Sequence, residues 1–168
     1  RLEPGISLHL IAKEQAERAA AQSEPEILQS DLSGLLMELL QWGCSDPAQM
    51  SWLDQPPVVN LLAAKRLLQM LGALEGERLS AQGQKMAALG NDPRLAAMLV
   101  SAKSDDEAAT AAKIAAILEE PPRMGNSDLG VAFSRNQPAW QQRSQQLLKR
   151  LNVRGGEADS SLICLLYT

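Results

Sequence analysis

The side chains of this chain that could do chemistry are few, and their spacing excludes more than it permits. The single histidine, His9, lacks the serine, cysteine or aspartate arrangement that a nucleophile–base–acid set needs. Cys44 and Cys164 lie far apart and form no Cys-x-x-Cys pair, so they read as reduced thiols, and no metal site is expected. The acids Asp105, Asp106 and Glu107 fall where a helix should begin, and a carboxylate there suits the helix dipole better than it suggests a metal. The loop Gly-x-x-x-x-Gly-Lys-Thr, which would cradle a nucleotide for phosphoryl transfer, is absent. By itself the chain is not expected to be a catalyst.

Binding chemistry is better represented. Residues 138–155 hold Arg143, Lys149, Arg150 and Arg154 and no acid, a basic strip suited to tracking the phosphates of a single strand. The competing explanation is a solvated helix face whose cations sit well near a helix C-terminus. Arg94 and Lys103 flank another helix. A cation in a first turn, as Arg94 would be, is mildly unfavourable and points to a partner, though an ion pair with Asp92 would serve equally. Lys65 and Arg66 lie on a helix too apolar for groove reading, so that helix is expected to pack. Trp42, Trp52 and Trp140 could stack on bases, but in a chain with 3% aromatic residues they are expected to anchor the core.

The elements that must position these groups are mostly helical. Ala and Leu dominate, apolar residues make up 45% and charged residues 21% of the 168, and strand formers are sparse. Residues 6–11 alternate like a strand without a partner nearby, and 12–22 read as a polar connector. A short helix is predicted from Pro25, capped by Ser23 or Glu24. A second follows Asp31 with Leu32, Leu35, Leu36, Leu39 and Leu40 in a stripe and stops at Gly43. After a loop over 45–55, a third runs from Pro57 to Leu71. Residues 73–80 predict a tight hairpin turning at Gly76, and Ser80 caps a helix over 81–89 that ends at Gly90. Asp92-Pro93 opens the next helix, and Ser104 with Glu107 forms a capping box for another that Pro121-Pro122 stops. Residues 121–137 read as loop, and Pro138 starts a last full helix carrying Trp140, Leu147, Leu148 and Leu151. Three helices and a hairpin make the layout of a winged helix. The fold class expected is mainly α: a winged-helix domain with a small hairpin, then a partial helical bundle.

A net charge of −4 and a pI of about 5.1 argue against a free-standing nucleic-acid binder and for a piece of something larger. No apolar run is long enough to span a bilayer, so no membrane role is expected and the cytoplasm is the expected location. Both ends read as cut points.

One stretch is specific. Residues 54–103 contain Asp-Gln-Pro-Pro, Leu-Leu-Gln-Met-Leu-Gly-Ala-Leu, Leu-Ser-Ala-Gln-Gly-Gln-Lys-Met-Ala-Ala-Leu and Asp-Pro-Arg-Leu-Ala-Ala-Met-Leu. In that order they resemble the helicase-associated region of the DEAH/RHA family of ATP-dependent RNA helicases. Pro25-Glu26-Ile27 and Leu39-Leu40-Gln41-Trp42-Gly43 match the family's winged-helix entry, and Arg1-Leu2-Glu3-Pro4-Gly5 matches the end of its last motor motif. The resemblance covers residues 1–120 strongly and 121–160 more loosely.

The resemblance implies a division of labour. Two RecA-like motor domains, with ATP and Mg, hydrolyse nucleotide, while the winged helix and a helical ratchet close over single-stranded RNA. It implies a motor remnant and connector at 1–23, a winged helix at 24–90, a partial ratchet-like bundle at 91–155 and a tail at 156–168 whose closing run from Leu162 reads as added sequence. Arg1 matches the last motor arginine and is a remnant here. The family's Asp-Glu-x-His string is absent too, so no cofactor is expected in this segment. Candidate RNA contacts are Arg94, Lys103, Arg143, Lys149, Arg150 and Arg154. Two alternatives are a winged-helix regulator of duplex DNA, which Leu61-Leu62-Ala63-Ala64 disfavour, and a helical protein-interaction module.

Overall fold

Helical order begins where capping chemistry and an apolar stripe coincide. In this computed structural model, which describes residues 4–6, 8, 10–18, 24–90, 92–122, 128–135 and 137–167, a short polar helix α1 (Lys13–Arg18) precedes a 3-10 turn at Glu26–Leu28. That turn replaces the helix expected from Pro25. Pro25 heads it without a side-chain cap, and Ser23 lies outside the described residues. Arg1 and His9 lie outside them as well.

The described residues of 6–11 form no strand, and Ile6, Leu8 and Leu10 are exposed. Alternation alone does not make a strand, because the ladder needs a partner and none is supplied.

Asp31 starts α2 (Ser33–Gln41), its carboxylate accepting from the Ser33 backbone N–H at 2.8 Å. Leu32, Leu36 and Leu39 are buried, as the stripe requires, and Gly43 takes up the left-handed conformation past the helix end. α3 (Val58–Met70) follows, then β1 (Leu74–Glu75) and β2 (Arg78–Leu79), antiparallel with Leu74 opposite Leu79 and Glu75 opposite Arg78. Gly76 has φ 64°, which the two-residue turn demands. Ser80 ties the hairpin base together: its hydroxyl donates to the Gly72 carbonyl at 2.6 Å and accepts from the Gly83 N–H at 2.9 Å, capping α4 (Ala81–Leu89). α3 buries Ala64 and Leu68 but leaves Val58, Val59, Leu62 and Met70 exposed, so it packs on one side only.

α5 (Pro93–Val100) is capped by Asp92, and α6 (Asp105–Glu119) by Ser104, with Glu107 reaching back to the Lys103 N–H. α6 is buried nearly all round, from Ala108 to Ala112 and from Ile114 to Ile117. Its small residues let neighbours approach from several sides, as a bundle's central helix must.

The stretch expected to be loop holds α7 (Leu129–Phe133), capped by Asp128, with Ala132 and Phe133 buried. Five residues are too few to show periodicity, and tertiary burial rather than propensity makes this turn helical. α8 (Pro138–Arg150) lies along α6, and α9 (Ile163–Tyr167) closes the chain. Ile163 and Leu166 of the tail pack on the core around Ile114 and Phe133. The strap leading to it is bonded to α6 through Glu157 N–H to Asp106 and Asp159 N–H to Thr110.

One apolar core runs from Leu36 through Leu68, Met86 and Leu99 to Ala112 and Leu147, so hairpin unit and bundle share an interior. Among the described residues no helix is long and apolar enough to cross a membrane.

Candidate nucleic-acid interface

Folding sorts the predicted cations into two kinds. Arg143 is spent on structure. Its guanidinium forks onto Glu119 with bonds of 2.6 and 3.0 Å, and this hydrogen bonding raises its pKa further above the usual arginine range. Arg94 is also engaged, 3.0 Å from Asp31 and 3.6 Å from Asp92, so the carboxylates around it explain a cation in a first turn. The strip on α8 is therefore not one free face: Arg143 and Arg150, about 20° apart around the helix, point the same way but are committed to different partners, Glu119 and the Leu89 carbonyl, while Lys149 points about 100° from Arg150.

The second kind meets in a cleft. Lys103 from the α5–α6 connection and Arg150 from the end of α8 line an opening of 420 Å³ together with Lys85 of α4. Sequence reading missed Lys85, because only the tertiary fold brings α4 against the C-terminal end of α8. Val100, Leu151 and Val153 supply apolar walls, and Asp105 is the carboxylate on the lining. Three cations against one acid leave a local positive surplus in an acidic chain.

Arg150 also has a second duty. Its guanidinium donates to the carbonyl of Leu89, the last residue of α4, beside Gly90 in the left-handed conformation. A cation at that helix end is favoured by the exposed carbonyls. The bond holds the cleft's two sides, α4 and α8, in register. Lys149 and Arg154 are exposed near this rim.

The tryptophans divide. Trp140 is buried and its indole N–H donates to the Glu120 carbonyl at 2.9 Å, and Trp52 is half-buried with a 2.7 Å bond to the Pro47 carbonyl. Trp42 is 79% exposed, contrary to the expected anchor role, because it falls at the C-cap of α2 where the apolar stripe has already ended.

A separate apolar groove of 310 Å³ lies between α2, α3 and the hairpin, lined by Leu36, Leu40, Val58, Leu61, Leu62 and Leu74. Lys65 at its edge pairs with Glu77 at 2.5 Å, while Arg66 on the same helix is exposed. Among the described residues no cluster of His, Cys, Asp or Glu could hold a metal ion.

No family model matches the chain. The ATP-dependent RNA helicase HrpB of Escherichia coli is 98% identical over 166 residues, 99% of this chain and 20% of that protein. The Haemophilus influenzae homologue of the helicase HrpA is 31% identical over 110 residues, 61% of this chain and 8% of that protein. A crystal structure of the Escherichia coli DEAH/RHA helicase HrpB superposes with a TM-score of 0.87, over 99% of this chain and 21% of that one. This chain thus spans about a fifth of the length of the relative it matches so fully. In sequence and in fold, it matches a segment of an HrpB-type DEAH/RHA helicase.

Proposed function

We propose that this segment grips single-stranded RNA for an ATP-driven helicase and passes motor closure to the strand, with residues 24–90 acting as the winged helix and 91–155 as a partial ratchet. The observation that carries this reading is the Lys85–Lys103–Arg150 cleft at the junction of the two units. Phosphates neutralised there would feel any relative movement of hairpin unit and bundle. Lys149 and Arg154 extend the contact along the rim, while Arg94 and Arg143 serve structure.

RecA-like motor domains of the same polypeptide, carrying ATP and Mg, are the second partner, in the cytoplasm. The exposed side of α3 supports this, since Val58 and Leu62, both exposed, line the apolar groove and leave it uncovered. A protein-interaction module without RNA is the other reading, and this groove is what favours it.

Binding of oligouridine measured against salt decides between them. RNA affinity that falls with salt, and falls less steeply in the double variant Lys85→Gln, Lys103→Gln, is the expected result. A segment without RNA affinity, or a full-length protein whose ATP hydrolysis ignores RNA, overturns the proposal.

A further inference from the structure

α8 has a second flank. At 100° per residue, Gln137, Ser144 and Gln145 fall on the side of the helix away from Arg150. There another cleft, of 380 Å³, opens between α6, the approach to α8 and the returning strap at Gly156 and Ala158. Lys113 and Arg135 line it along with those amides and the hydroxyl, and no carboxylate does.

Lys113 is the exception on α6. Residues 108–112 and 114–117 are buried and uncharged, whereas Lys113 is half-buried with its Nζ 4.2 Å from the centroid of the Phe133 ring. An aromatic face offsets only part of the cost of drawing an ammonium out of water. Among the described residues, no carboxylate lies within ion-pair distance of Lys113 or of the exposed Arg135. In a chain of net charge −4, this recess holds two cations and no acid. The indole N–H of Trp140 on its wall is already committed to Glu120.

We infer that the Lys113–Arg135 cleft is a second seat for the same RNA strand. The two cations take phosphate oxygens, and Gln137, Ser144 and Gln145 take the ribose hydroxyl or a base edge. The strand then crosses the exposed side of α8 that carries Lys149. This inference rests on the proposal that the segment grips RNA.

The test compares salt dependence of oligouridine binding for the wild-type chain, for Lys85→Gln with Lys103→Gln, and for Lys113→Gln with Arg135→Gln. Loss of two phosphate contacts should make log K against log salt shallower by about 1.4, at about 0.7 per contact on a single strand. Arg135→Gln alone, at an exposed position, should cost about 0.7 and carries the test if Lys113→Gln lowers the melting temperature. Lys113→Arg should restore the slope. A wild-type slope in the Lys113, Arg135 variant, with the Lys85, Lys103 variant weakened, overturns this inference alone. No RNA affinity in the wild-type chain overturns both. Preference for an acidic peptide over RNA, abolished by the same two substitutions, assigns the cleft to a protein and also overturns it.

Discussion

Arg143 of α8 clasps both carboxylate oxygens of Glu119 at the end of α6, at 2.6 and 3.0 Å. With side chains 28% and 26% exposed, this is a partly buried, two-pronged pair that pins the two helices. Arg143→Ala is expected to cost about 1–3 kcal/mol in urea denaturation while leaving the salt slope of RNA binding unchanged. A shallower slope at unchanged stability would return Arg143 to the RNA-contacting set.

Asp31 links the start of α2 to Arg94 of α5. Hydrogen bonds from Ser33, with help from Arg94, hold its carboxyl below the usual aspartate range. A depressed folded-state pKa stabilises above the unfolded value, and that contribution disappears as pH falls through the folded one. Asp31→Asn should therefore lie below the wild type in thermal stability above about pH 4, with the gap closing in more acid solution. A gap that persists or widens on acidification would contradict this assignment.

Gly83 in α4 lies against the Ala73 backbone so closely that a β-carbon would stand 2.1 Å from the Ala73 carbonyl oxygen. Since Ala73 anchors the hairpin base through its bond from the Ser80 N–H, neither side can yield cheaply. Gly83→Ala should cost about 1–3 kcal/mol or more. Gly34 in α2 has nothing within 4 Å of the same atom, so Gly34→Ala should stabilise by about 0.5–1 kcal/mol. Equal effects at the two glycines would show that the close approach is not what Gly83 serves.

Trp140 and Trp42 should respond oppositely to truncation. Trp140→Ala opens a cavity among Ile114, Ile117 and Phe133 and should cost about 3–5 kcal/mol. Trp42→Ala, at a position 79% exposed, should stay within about 0.5 kcal/mol. Acrylamide should quench the emission of Trp42 and spare that of Trp140.

Local chemistry was legible wherever the cause is local. Ser80, Asp92 and Ser104 cap helices as read, because a cap depends on a side chain and the backbone two or three residues on. Gly76 turns the hairpin for the same reason. The strand expected at 6–11 failed because pairing is not a local property, and α7 escaped notice because its helicity comes from burying Ala132 and Phe133.

The amino-acid order alone therefore determined the helical class, the hairpin, most element ends and the resemblance to a helicase family. Which cations stay available was decided only in three dimensions. Arg143 and Glu119 are 24 residues apart, and Arg150 and the Leu89 carbonyl 61 apart. Lys85 and Lys113 entered the candidate clefts for the same cause: a charge's worth depends on what surrounds it in space, and a one-dimensional pattern does not contain that neighbourhood.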